Sequence, residues 1–148
     1  RGLIYFNRGD FYNAKADFDS AVILKPDSAE ALYDYALALE KIDSNDEAIE
    51  IYDRLIATDS EFFNGRYNRG RLKVLKGDYN RALEDFNRAL EIDPNSADVI
   101  NEIGVVHFRQ QKYEEAYADL NRAAELDARN ETVAANRKVL DSCIKKKK

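Results

Sequence analysis

Side chains able to do chemistry are few in this chain of 148 residues, which has one histidine, His107, and one cysteine, Cys143. A lone cysteine excludes an internal disulfide framework and a cysteine-ligated zinc site. The carboxylates Glu84–Asp85 and Glu114–Glu115 are neighbours in sequence. They point to different parts of a helix, so they read as solvated surface and not as an acid–base pair. "DSNDE" at Asp43–Glu47 puts oxygens at alternate positions, as the start of a calcium loop does. Such a loop needs a glycine at its sixth position and a glutamate at its twelfth, where this chain has Ala48 and Arg54. A helix–helix turn capped by Asp or Asn is expected there instead. No glycine-rich phosphate loop and no nucleophile elbow occurs. Asn130-Glu131-Thr132 matches a glycosylation acceptor, which matters only in a secreted eukaryotic setting. These residues imply no catalytic activity, no cofactor and no bound metal.

The bulk properties agree with a helical protein built for surface contact. Apolar residues make up 45% and charged residues 34%, with only 2 prolines and 6 glycines. No apolar run is long enough to span a membrane. A net charge of −5 weighs against nucleic acid, whose phosphates need a basic face. Charge is uneven, however: residues 29–62 carry ten acids against Lys41 and Arg54, whereas 63–96 carry seven basic and five acidic groups. An acidic stretch beside a basic one aligns neighbouring units or orients a partner. A chain that begins at Arg1 and holds no methionine is expected to be part of a longer translation product. Lys145–Lys148 reads as a frayed, solvated end.

The elements that position all these groups recur. Ala14, Ala48, Ala82 and Ala116 stand 34 residues apart, as do Gly2, Ala36, Gly70 and Gly104, and Phe18, Tyr52, Phe86 and Leu120. Ala21, Leu55, Ala89 and Ala123 keep the same step, and Pro26 and Pro94 lie two steps apart. A strict period of this length means stacked supersecondary units. The units are 29–62, 63–96 and 97–130, preceded by a partial unit 1–28 and followed by 131–148. Each reads as two helices. Asn64 to Leu75 ends at "KGD", then "YNRALEDFNRALEI" runs to a "DPN" stop. Gly9 and Gly77 suit a left-handed C-cap. Small residues such as Gly70 and Ala82 mark close helix approach, and the aromatic or leucine at the Phe86 position is expected to fill the space between units. One such pair cannot bury its apolar face alone, which is why the sequence repeats. Residues from Glu131 to about Cys143 add one more amphipathic helix through Val133, Val139, Leu140 and Ile144.

The pattern resembles the tetratricopeptide repeat, in which a small residue is followed by a tyrosine three on, then Ala-x-x-x-Phe and a closing proline. Gly2, Tyr5, Ala14, Phe18, Ala21 and Pro26 carry it in the first unit, and Gly70, Ala82, Phe86, Ala89 and Pro94 in the third. The second unit departs at Leu39, Asn45 and Ser60, and the fourth at His107, Leu120 and Ala128. His107 takes a slot where the family has a packing tyrosine, so a partly buried packing role is expected for it. The resemblance implies an all-α, right-handed solenoid of helix-turn-helix repeats over 1–130, closed by a C-terminal capping helix and basic tail at 131–148. It also implies a non-catalytic scaffold for a protein or peptide.

Helical spacing puts positions 2, 5, 9, 12 and 13 of a unit on one face, and the resemblance makes that face the groove. Tyr33, Asn64, Tyr67, Arg71, Asn101, Phe108 and Arg109 are the expected peptide-binding row, since Tyr and Arg are common interface anchors. Neither nucleic acid nor membrane is expected as a partner. Self-assembly through the open first repeat, or service as an accessory domain of a larger enzyme or transport assembly, are the alternatives. Some family members clamp the acidic tail of heat-shock chaperones with Lys, Asn and Arg; the corresponding slots here hold Tyr33, Leu37, Asn68, Asp98 and Glu102. Two ion pairs are expected at a spacing of 16, Arg1–Asp17 and Arg69–Asp85.

Overall fold

The computed structural model describes residues 1–145. The basic tail Lys146–Lys148 and the side chain of Lys145 lie outside the described residues. Among the described residues there is no strand, and nine helices follow in order: α1 (Gly2–Asn7), α2 (Phe11–Leu24), α3 (Ala29–Lys41), α4 (Asn45–Thr58), α5 (Phe63–Leu75), α6 (Tyr79–Ile92), α7 (Ala97–Arg109), α8 (Tyr113–Leu126) and α9 (Glu131–Lys145). The helices gather into two compact units, Arg1–Leu72 and Lys73 onward, whose boundary falls inside α5.

Turn chemistry repeats with the sequence. After α1, α3, α5 and α7 the chain passes through a residue of positive φ: Gly9 at 77°, Asp43 at 58°, Gly77 at 80° and Gln111 at 64°. The four positions are one step of 34 apart. At each, the N–H of the following residue closes back five positions: Asp10 to Tyr5, Ser44 to Leu39, Asp78 to Lys73 and Lys112 to His107, all at 2.9 Å. This is a Schellman closure, and it satisfies carbonyls that a helix end otherwise leaves open. "DSNDE" is therefore a turn, with Asp43 left-handed and Ser44 at the N-cap of α4.

The longer turns use a different device. Prolines close only two of them, after Lys25 and Asp93. The carboxylate of Asp59 accepts the N–H of Glu61 at 3.0 Å, Asp93 that of Asn95 at 3.2 Å, and Asp127 that of Arg129 at 3.1 Å. These Asx turns hold the connection where Ser60 and Ala128 stand in the proline slot. Ser28, Ser96 and Asn130 then cap α3, α7 and α9 by accepting the N–H of Ala31, Val99 and Val133.

In the first unit the core joins Ala14, Phe18 and Val22 of α2 to Leu32, Ala36 and Leu39 of α3 and to Ala48, Tyr52 and Leu55 of α4. Gly2 shows why a small residue is needed: a Cβ there would stand 2.7 Å from the Phe18 ring. In the second unit Ile100, Ala123 and Val133 form one cluster, and Ala116, Leu120 and Leu140 another. A Cβ at Gly104 would meet Leu120 at 3.0 Å. Helix α9 keeps the step of 34: Val133 and Leu140 are buried where Val99 and Val106 are buried one unit earlier. The slot held by Gly2, Ala36, Gly70 and Gly104 is held in α9 by the exposed Lys138, which leaves that face to solvent.

Replacing Ala82 with Leu adds volume at a side chain with no exposed surface and should cost ~1–3 kcal/mol. The same change at exposed Glu84 should do little, and comparable denaturation midpoints would refute the packing register. Gln111→Gly should stabilise by about 0.5–1 kcal/mol, because relief of the left-handed penalty exceeds the entropic cost of glycine. Asp43→Gly should gain less, since aspartate tolerates that region; the order of the two melting shifts is the readout.

Candidate functional site

The first unit holds four of the expected residues, and a buried polar chain underlies one of them. Tyr52 of α4 has no exposed surface, yet it carries a hydroxyl. That hydroxyl donates to Glu40 Oε1 at 2.5 Å and accepts from Asn68 Nδ2 at 3.1 Å. The Asn68 amide also reaches the Tyr33 hydroxyl at 3.5 Å. Three helices, α3, α4 and α5, are thereby tied through polar atoms in an otherwise apolar core. Burial, followed by the nearby Glu40 carboxylate, pushes the Tyr52 phenol far above its ordinary range. Tyr33 is raised too, by burial, and the Asn68 bond opposes that rise. The Tyr33 ring packs on Tyr52 at 6.3 Å and on Phe62 at 5.1 Å. Half of Tyr33 is thus committed to scaffold and half is presented to solvent.

Helix α5 carries the rest of this group. Phe63 and Tyr67 stack at 6.4 Å with their planes 12° apart. The Arg71 guanidinium carbon lies 5.8 Å from the Tyr67 ring centroid, within cation–π range. Phe63, Tyr67 and Arg71 stand at i, i+4 and i+8, one stripe of one helix. Asn64 and Arg71 are exposed and Tyr67 is half-buried. Arg69, on another side of α5, donates to Asp53 at 2.6 Å.

The second unit holds the other three. Asn101 is only 3% exposed, and its carbonyl oxygen accepts from Asn136 Nδ2 at 2.9 Å. The bond repeats the geometry of Tyr33 and Asn68: both pairs are 35 apart, and Asn136 lies two steps of 34 beyond Asn68. Asn130 adds a second tie, donating to Asp98 Oδ1 at 2.9 Å while its own Oδ1 caps α9. The Asn130 amide is therefore occupied as a helix cap. Phe108 and Arg109 line a cavity of ≈320 Å³ with Val105, Leu120, Asn136 and Val139. Phe108 sits edge-on to Tyr113 at 5.9 Å.

Charge pairs occupy the inner faces of the helix pairs. Arg1 grips Asp17 with two bonds of 2.9 and 3.1 Å, as the spacing of 16 requires, and the hydrogen bond holds the Asp17 carboxyl below its ordinary value. The members of the other expected pair lie in different units, and each has a partner in its own: Arg69 has Asp53, and Asp85 receives Lys73 at 2.8 Å. His107 Nδ1 lies 2.7 Å from Asp119 Oδ2, at the slots of Lys73 and Asp85 one repeat on. His107 is half-buried, as its slot implies, but its neighbour is a carboxylate. Sequence reasoning also missed Tyr52 and Asn136. A tyrosine where other units have Phe18, Phe86 and Leu120 was the available signal, since a buried hydroxyl requires a partner.

Among the described residues, no His, Cys, Asp and Glu are grouped to hold a metal, and no helix is long and apolar enough to cross a membrane. Three family models match: a tetratricopeptide repeat at 1–61, a TPR repeat at 70–111 and a tetratricopeptide repeat at 97–130. Hsp70-Hsp90 organizing protein 2 of Arabidopsis thaliana is 22% identical over 101 residues, 68% of this chain and 18% of that protein. The chain spans from 12% to 20% of the length of four curated relatives it matches. YrrB, described as a TPR protein with an unusual peptide-binding site, superposes with a TM-score of 0.86 at 21% identity, over 93% of this chain and 71% of that one. The first TPR of Spaghetti (RPAP3), bound to the HSP90 peptide SRMEEVD, gives 0.73 at 23% identity, over 78% and 92%. At such identities the two structures establish the fold.

The Tyr52 hydroxyl contributes stability that is intact below the ordinary phenol pKa of ~10 and is lost as pH rises above it, because the unfolded chain then releases a proton that the folded chain retains. Tyr52→Phe should cost ~1–3 kcal/mol at neutral pH by stranding Asn68. Denaturant titrations from pH 8 to 11 should show the gap between wild type and variant narrowing above pH 10. A constant gap would mean that the phenol is not held neutral by the fold.

Proposed function

Since the chain belongs to the tetratricopeptide-repeat family, we propose that it is a non-catalytic scaffold that binds a partner protein or peptide segment. Tyr33, Asn64, Tyr67 and Arg71 serve in the first unit, and Phe108 and Arg109 in the second, with Asn101 positioning Asn136 from behind. One observation carries the reading: the stripe of Phe63, Tyr67 and Arg71 pairs stacked aromatic faces with an exposed guanidinium. Aromatic faces bury apolar side chains at small entropic cost, and the guanidinium meets a carboxylate. Asn64 adds donors and an acceptor for a peptide backbone. The partner segment is extended or helical, with apolar anchors and mixed charge.

The test uses peptides selected on the immobilised protein from a random library and titrated by calorimetry. Arg71→Ala or Tyr67→Ala should weaken them by ~1–2 kcal/mol, and Arg71→Ala should leave the unfolding midpoint within about 0.5 kcal/mol. The control is Arg88→Ala on α6, an exposed residue joined to Glu91 at 2.6 Å. Binding that survives both α5 changes and fails with Arg88 altered would move the functional surface elsewhere.

The peptide SRMEEVD, whose acids crowd its C-terminal end, should not be held by a two-carboxylate clamp, so amidating its terminal carboxylate should leave its affinity unchanged. The clamp slots hold Tyr33, Leu37, Asn68, Asp98 and Glu102, which provide no cation and two carboxylates. Asn68 is also engaged with the hydroxyls of Tyr52 and Tyr33. A marked loss of affinity on amidation would overturn this selectivity.

A second reading, self-association, is supported by the first helix pair. Ile4 is 55% exposed, whereas Ala38, Leu72 and Val106 at the same slot are buried; Leu3, Ile23 and Leu24 are exposed beside it. A monomeric mass by light scattering at every concentration would remove it.

A further inference from the structure

The second unit contains a side-chain-sized cavity with an unused cation at its edge. Three helices build it. Val105, Phe108 and Arg109 come from α7 at i, i+3 and i+4, Leu120 comes from α8, and Asn136 and Val139 come from α9 at i and i+3. Its volume of ≈320 Å³ is roughly twice the ~150 Å³ that encloses a benzene ring, so it has room for one large aliphatic or aromatic side chain. Leu120 is 1% exposed and Val139 is 54% exposed, which places the one at the floor and the other at the lip. No carboxylate is among the lining residues. Arg109 is exposed, and no described residue pairs with it. The one hydrogen bond of Asn136, from Nδ2 to Asn101, leaves its Oδ1 unused. The site therefore combines an apolar hole, an unpaired guanidinium and an amide acceptor.

We infer that this cavity takes an apolar anchor of a partner peptide while Arg109 binds an Asp or Glu side chain of the same segment; the inference rests on the peptide-binding reading above. The complementarity is electrostatic as well as steric, because a guanidinium without a counter-charge prefers a bidentate carboxylate. Spacing follows from geometry. Arg109 lines the same cavity that receives the anchor, so anchor and acid must share one face of the peptide. In an extended chain, side chains two apart share a face and adjacent ones do not. The motif is an apolar residue and an acid separated by one residue, and its backbone N–H donates to Asn136 Oδ1.

The probe is an acetylated, amidated alanine–glycine peptide carrying one leucine and one glutamate with a single residue between them. Backbone amide NMR of the protein should show saturable shifts at Val105, Phe108, Arg109, Asn136 and Val139. Glutamine in place of the glutamate, or Arg109→Gln in the protein, should weaken binding about tenfold. Placing leucine and glutamate side by side should weaken it as well. The proposal is overturned if these changes have no effect, or if a peptide with a terminal leucine, a free α-carboxylate and no glutamate binds more tightly. Peptides selected on the whole protein separate the two levels. If they shift the amides of α3 and α5 while the leucine–glutamate probe moves nothing, the cavity proposal falls and the scaffold reading stands. If no selected peptide binds, the scaffold reading falls with it.

Discussion

The structure depends on one close contact, seen within each unit: a small residue on the first helix of a pair faces a large apolar side chain on the second. Gly2 against Phe18 and Gly104 against Leu120 show how little room exists, since an added Cβ would meet those side chains at 2.7 and 3.0 Å. Interiors are close-packed, so such a contact cannot stretch to admit a methyl group without disturbing its neighbours. The large side chain in turn reaches the limit of what one pair can cover. Phe18 belongs to a cluster that continues through Leu32 and Ala36 of the next first helix. Within the first unit a pair is thus completed by its successor, and in the second Val133 and Leu140 of α9 complete the last pair.

That contact sets the period and makes the fold legible from sequence. Small and large residues recurring at a fixed step identify helix pairs, and Gly9 and Gly77 mark where the first helix of a pair turns. Legibility failed where a turn kept its geometry with a different residue. Asp43 and Gln111 adopt the same left-handed conformation as the glycines, held by the same backbone closure, although neither residue type announces it. The turns without proline are similar. Asp59 and Asp127 carry a constraint that Pro26 and Pro94 suggest is proline's alone. Backbone closure tolerates substitution because its bonds belong to the main chain.

The site was less legible, for a physical reason. Helical spacing assigns a residue to a face, but it does not say what covers that face. Tyr33 and Asn101 share a slot, and both are drawn into hydrogen bonds from the next first helix, through Asn68 and Asn136. Such bonds depend on two residues about one repeat apart, so no single-unit pattern reveals them. Arg71, Asn64 and Arg109 lie further along the same face and remain exposed. Of the charge expectations, Arg1–Asp17 is present at its spacing of 16. Lys73–Asp85 and His107–Asp119 use a spacing of 12, which joins the facing side of a first helix to the facing side of its second.

The polar bonds in these cores bear on recognition as well as stability. An apolar core made only of repeated leucine and alanine is tolerant of sliding, because each unit resembles the next. A buried hydroxyl is intolerant: Tyr52 must find Glu40 and Asn68 or lose ~1–3 kcal/mol. The Tyr52–Asn68 and Asn101–Asn136 bonds thus fix where α5 stands against α4 and where α9 stands against α7. Those same helices carry the exposed groups. Arg71 lies three residues beyond Asn68, and Val139 three beyond Asn136, one turn along the same side of the helix. A surface built this way is preorganised from beneath, so less of its contact energy is spent on ordering when a partner arrives. The residues that present the surface remain free to vary, while the amides behind them hold the register.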